Sequence, residues 1–179
     1  MKTNSVVTIF GSSRPKPDDE EYRRAYFLGA ELARAGLVVC NGGYAGIMEA
    51  SARGAKEAGG TTIGVSFTAL GPKQHNPWID RVVQEDTLIH RAMRLVELGD
   101  AFVVLKGGTG TLLEFSLVWE HVNKGLLRDK PIILLGRFWN SVVDTLNNEL
   151  AWEGLEQCTR FVQQVDTPED AIKALNLRL

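Results

Sequence analysis

Ala101-Phe102-Val103-Val104-Leu105-Lys106-Gly107-Gly108-Thr109-Gly110-Thr111-Leu112-Leu113-Glu114 is the stretch on which the fold turns. Ala101 to Leu105 is a continuous apolar run of the kind that forms a buried strand. A longer segment of helical period follows it. Three glycines and two threonines therefore stand where a strand hands over to a helix. Backbone N–H groups at such a junction lack partners in the chain, so the junction can receive an anion such as a phosphate. Glu114 lies one turn further on, which puts an acid beside the anion site and points to chemistry on a phosphorylated molecule.

The same alternation extends in both directions. Val6 to Phe10 is a strand ended by Gly11-Ser12-Ser13, and a helix from about Asp19 to Ala35 stops at Gly36, a C′ glycine. Leu37 to Cys40, Thr61 to Val65 and the short Arg81 to Gln84 are further strands. A helix begins near Gly46, and another spans Thr87 to Leu98 with Leu88, Ala92, Leu95 and Val96 at core spacing. Beyond the opening stretch come a helix to about Leu126, the strand Pro131 to Leu135, a helix from Trp139 to Trp152 and a short strand at Phe161-Val162. A last helix is capped by Thr167 with Pro168 at its first position. Apolar strands alternating with helices imply a doubly wound α/β fold, Rossmann-like, its mainly parallel sheet covered by helices on both faces. Right-handed crossovers put the strand C-termini on one edge, where ligands of such sheets bind. Three glycine-bearing loops fall there: Gly11-Ser12-Ser13, Asn41 to Met48, and Gly107 to Thr111. The irregular stretch Phe67 to Asp80, with Pro72, Pro77 and Trp78, is either a lid or interface element or a plain surface loop.

The chain's 179 residues fit a single domain, residues 1–179, with a formal net charge of −2. No basic surface marks a nucleic-acid polymer as partner, and no segment approaches membrane-spanning length. Cys40 and Cys158 form neither a disulfide framework nor a metal spacing, and the start of the chain lacks a signal-peptide apolar region, so a reducing cytoplasmic setting is expected. His75, His90 and His121 stand apart from one another and from the cysteines, so no metal is expected.

The Gly107 loop is not a Walker A loop, because Lys106 precedes its glycines instead of following them. It is not a dinucleotide fingerprint either, since the loop after the first strand, Gly11-Ser12-Ser13-Arg14, lacks G-x-G-x-x-G. A ligand-free reading exists: Thr111-Leu112-Leu113-Glu114 fits the capping box S/T-x-x-E. Gly42 and Gly43 permit close backbone approach or a tight βα turn. Arg91 has no acid three or four positions away on its helix, whereas Arg94 and Glu97 can pair, so Arg91 is free for a phosphate or carboxylate elsewhere. Glu49 either complements the dipole of its helix or faces the pocket.

Lys106 to Glu114 resembles the P-G-G-x-G-T-x-x-E motif of the LONELY GUY-like proteins, and Asn41 to Met48 resembles that family's G-G-G-x-x-G-x-M. Phe10-Gly11-Ser12-Ser13 and Gly99-Asp100-Ala101-Phe102 are similar as well. The resemblance, from about Val6 to Leu135, implies a cytokinin riboside 5′-monophosphate phosphoribohydrolase of a group long labelled lysine decarboxylases. Such an enzyme splits a nucleoside 5′-monophosphate such as AMP into free base and ribose 5-phosphate. It further implies a Rossmann-like homodimer without a cofactor. Arg91 and Glu114 fall on the family's catalytic pair, and Gly107, Gly108, Thr109, Gly110 and Thr111 on its phosphate loop. Gly11, Ser12, Ser13, Gly42, Gly43, Gly46 and Met48 complete the implied nucleotide site. Lys106 stands in place of the motif's Pro, Asn41 in place of a Gly, Glu49 where the loop often continues with Gly, and Ala92 where Lys follows the Arg. These departures resemble a branch that includes molybdenum-cofactor carriers, which bind a phosphorylated pterin without cleaving it. A non-catalytic carrier of a phosphorylated nucleotide or pterin is the alternative they leave open. A purely structural subunit whose glycine loops are turns is a third.

Overall fold

Val6–Phe10 (β1) sits at the centre of a seven-stranded sheet because both of its edges are taken, one by Val38–Asn41 (β2) and the other by Ala101–Val104 (β5). The computed structural model describes residues 5–68, 75–127 and 130–176. From β1 the chain steps outward through Glu20–Arg34 (α1), β2, Ile47–Glu57 (α2), Thr62–Phe67 (β3) and Arg81–Glu85 (β4). It then crosses back along Leu88–Leu98 (α3) to β5 and moves outward the other way through Thr109–Asn123 (α4), Ile132–Leu135 (β6), Asn140–Trp152 (α5), Val162–Val165 (β7) and Pro168–Asn176 (α6). The strand order is β4-β3-β2-β1-β5-β6-β7, and every pairing is parallel.

Side chains alternate across each strand, and here both sides are apolar. Val7, Ile9, Val103 and Ile133 face α1, α2 and α6, whereas Phe10, Phe102, Val104 and Leu134 face α3, α4 and α5. Two cores result, one on each face of the sheet. The topology reverses between β1 and β5, so the loops after these strands diverge and open a crevice at their C-terminal ends.

The doubly wound parallel sheet expected from the sequence is therefore present, with local corrections. Leu88 is 45% exposed, and the fourth inward position of α3 belongs to Arg91. The last strand begins at Val162 rather than Phe161, which closes a 3-10 turn, Glu156–Phe161, that the sequence reading lacked. Thr167 caps α6, its Oγ1 accepting from the Asp170 N–H at 3.1 Å. Residues 69–74 of the Phe67 to Asp80 stretch, Pro72 included, lie outside the described residues. Among the described residues, no helix is long and apolar enough to cross a membrane.

Candidate functional site

Three backbone bonds draw the glycine loops together. Leu105 N donates to Phe10 O at 2.9 Å, Ser12 N to Lys106 O at 3.0 Å, and Ile47 N to Ser12 O at 2.9 Å. The loop after β1 is thereby fastened to the loop after β5 on one side and to the start of α2 on the other. Gly46 makes the second junction possible. Its φ is +69°, and a Cβ there would lie 2.5 Å from Ser12 O.

Asn41, which departs from the resembled motif, holds the second loop. Its Nδ2 donates to Met48 O at 2.9 Å and to Ser51 Oγ at 3.1 Å, while its Oδ1 accepts from Gly43 N at 2.8 Å. This is an Asx turn in a fully buried position, and an Asn at a strand end before Gly-Gly was its signal in the sequence. The loop is strapped from outside by Asn76, whose N donates to Gly43 O at 2.9 Å and whose Nδ2 donates to Tyr44 O at 2.8 Å. Nothing in the sequence pairs these segments; β3, paired to β2 on one side and to β4 on the other, brings its outgoing connection beside the loop after β2.

Helix α4 begins at Thr109 with Gly108 as its cap in extended conformation, and no side chain caps it. Thr111 is thus a buried residue inside the first turn, so the capping box does not form. Glu114 takes a stronger partner: its Oε1 accepts from Arg91 Nη1 at 2.9 Å. Arg91 also donates from Nε to Val65 O at 2.8 Å, and its guanidinium lies 5.6 Å from the centre of the Tyr44 ring. The external partner expected for Arg91 is therefore a carboxylate of the same chain. The two side chains are only 8% and 13% exposed. Burial pushes the Glu114 carboxyl above its ordinary range, while the Arg91 charge and hydrogen bond pull it back down. Arg91 fits only because Gly42 is a glycine; a Cβ there would lie 1.8 Å from Nη2.

A cavity of about 420 Å³ is lined by Gly11, Ser12, Ser13, Met48, Arg91, Gly108, Thr109, Gly110, Thr111 and Glu114, together with Arg14, which the sequence reading passed over. Gly42, Gly43 and Gly46 do not line it; Gly42 backs Arg91 and Met48 and Gly46 backs Ser12 and Ser13, whereas Gly43 lies against His75 and Gly64. Gly107 lines a neighbouring cavity of about 510 Å³ with Lys106 and Phe138. A Cβ on Gly108 or Gly110 would meet open space, so an incoming group can approach the backbone there closely. The first N–H groups of α4 have no intrahelical acceptor and carry the positive end of the helix dipole. An anion at Gly108–Thr111 would thus sit within one helical turn of a buried carboxylate held by a cation. Glu49 does face a pocket: it lines a third cavity and accepts from the Tyr22 hydroxyl at 3.2 Å. Cys40 is fully buried, and burial pushes its thiol up to about 12, which leaves it inert.

Set against known proteins, the chain matches the SLOG cluster4 family over residues 4–172. A cytokinin riboside 5′-monophosphate phosphoribohydrolase of Rhodococcoides fascians is 36% identical over 139 residues, covering 74% of this chain and 68% of that protein. The Mycobacterium marinum protein of the same name is 33% identical over 178 residues, covering 94% and 92%. Among solved structures, the molybdenum cofactor binding protein of Rippkaea orientalis superposes with a TM-score of 0.76 at 25% identity, covering 99% of this chain and 98% of that one.

Proposed function

The chain belongs to the SLOG cluster4 family, and from that membership we propose that it hydrolyses the N-glycosidic bond of a purine nucleoside 5′-monophosphate to free base and ribose 5-phosphate. The observation that carries this reading is the buried Arg91–Glu114 pair opening onto a cavity at the start of α4. The phosphate is held by the N–H groups of Gly108 to Thr111, which fixes the ribose and supplies orientation. As the C1′–N bond lengthens, the sugar becomes oxocarbenium-like, and the Glu114 carboxylate stabilises its positive charge. Water attacks C1′ and gives its proton to Glu114; the C1′–O bond forms as the C1′–N bond breaks, and the departing nitrogen takes a proton from solvent. Arg91 opposes the rise in the Glu114 pKa that burial causes and so favours its ionised form. The relatives named as phosphoribohydrolases support the same reaction.

Incubation of the purified protein with nucleoside 5′-monophosphates should release free base, and Glu114→Gln should abolish release while binding persists. Undiminished turnover in that variant removes Glu114 from the reaction. A second reading, a carrier that binds a phosphorylated nucleotide or pterin intact, is supported by the near-complete overlay on a molybdenum cofactor binding protein. It predicts an intact ligand retained through purification and no release of base. The exposed apolar residues of α3 further support a homodimer, and the buried reduced cysteines accord with a cytoplasmic setting.

A further inference from the structure

Beside the main cavity, and meeting it at Ser13, lies the cavity of about 540 Å³ lined by Tyr44, Glu49, His75 and Asn76. Met48 and Glu49 are consecutive in the first turn of α2, and one lines each cavity. Ser13 lines both cavities, so a ligand whose phosphate rests on α4 and whose ribose lies by Glu114 would meet Glu49 where its base passes Ser13. Among the described residues Glu49 has no ion pair; its Oε1 accepts one bond, from the neutral Tyr22 hydroxyl at 3.2 Å. The nearby Arg53 is committed to Glu57 at 2.8 Å. The Glu49 carboxylate therefore keeps most of its acceptor capacity and offers no donor at all.

We infer that Glu49 selects the base, favouring a purine whose ring N–H stands beside an exocyclic amino group, the guanine pattern, over adenine. This rests on reading the main cavity as a nucleoside 5′-monophosphate site. Guanine presents N1–H and N2–H₂ as parallel donors, which a carboxylate accepts in bidentate fashion. Adenine presents one N6–H donor beside the N1 lone pair, and that lone pair would face a carboxylate oxygen. A good bidentate pair discriminates against the wrong base by about 5- to 150-fold in affinity. Glutamine reverses the pattern: its Oε1 accepts from N6–H while its Nε2 donates to N1.

The test is calorimetric binding of guanosine, inosine and adenosine 5′-monophosphates to the full-length protein, alongside release of free base from each. The wild type should bind the guanosine nucleotide at least about fivefold more tightly than the adenosine one, with inosine between, because hypoxanthine keeps only the ring N–H. Glu49→Gln should bring the ratio to parity or reverse it, and Glu49→Ala should flatten it. Equal or tighter binding of the adenosine nucleotide by the wild type, or a ratio untouched by Glu49→Gln, overturns the assignment. Guanine-selective binding without base release upholds it and overturns hydrolysis. Base release with no dependence on Glu49 does the reverse.

Discussion

Arg91 and Glu114 stand 23 positions apart and come from different helices, yet they form a pair that water scarcely reaches. Removing one partner of a buried pair leaves an uncompensated charge and costs about 3–5 kcal/mol, so the pair is structural whatever its part in the proposed reaction. Its sign with pH follows from burial. In the proposed reaction Glu114 acts as a carboxylate, and burial lifts its pKa above the ordinary value although Arg91 opposes the lift. Turnover should fall as pH drops through that raised value, so the acid limb of kcat/KM should lie above the ~4.3 of a free glutamate. In Arg91→Lys, whose shorter ammonium cannot hold both Val65 O and Glu114, the limb should move higher still. A limb at the ordinary carboxylate position, unmoved in the variant, would detach Glu114 from the rate. The stability sign is the companion. A carboxyl with a raised folded pKa costs stability when ionised, so unfolding free energy should decline as pH rises through that window, and Glu114→Gln should lose this decline.

The loop from Gly42 to Gly46 shows why an element can be legible while its purpose is not. Gly42 and Gly43 announced a tight turn between a strand and a helix, and the turn is there. What the sequence concealed is that Gly42 is small on behalf of Arg91, 49 positions further along the chain on α3. Strands and helices were readable because their periodicities are local. The Asn76 strap, the Arg91–Glu114 pair and the true start of α4 depend on which segments the sheet brings together. Thr111-Leu112-Leu113-Glu114 matched a capping box locally, and a buried cation from α3 outcompeted it. Gly42→Ala tests the point. The new Cβ would meet Arg91 Nη2 at 1.8 Å and Met48 Sδ at 2.6 Å, the movable ends of side chains rather than backbone. The fold should survive with a loss of about 1–3 kcal/mol, read as a modest fall in Tm. Displacing Arg91 from Glu114 should lower kcat about 100-fold, the scale set by a misplacement of about 1 Å. Wild-type turnover in Gly42→Ala would mean that Arg91 need not hold its position.

Taken as a whole, the molecule gathers its candidate site at one edge of the sheet and exposes an apolar flank along α3 and β4. The parallel sheet gathers the ends of β1, β2 and β5 around the crevice, and α3 and α4 close it from one face. The inner sides of these two helices supply Arg91 and Glu114. Outward from them, Ile89 is 57% exposed, and its neighbour Leu88 on α3 and Val82 on the adjoining strand β4 are exposed as well. Full burial of a side chain the size of Leu or Ile yields about 1.5–3 kcal/mol, so a few such residues in a two-fold interface would contribute substantially to dimer stability. In a two-fold arrangement each residue counts twice, because the same patch serves both subunits. The expected outcome is therefore a dimer in sedimentation velocity at micromolar concentration and a monomer for Ile89→Asp, which would place two desolvated carboxylates in one interface. Because Ile89 lies two positions before Arg91 on the same helix, loss of the interface should also reduce turnover, and raising the concentration of the variant should restore part of it by mass action. A wild-type monomer, or a dimer indifferent to Ile89→Asp, would move the interface off α3 and leave the crevice complete within one chain.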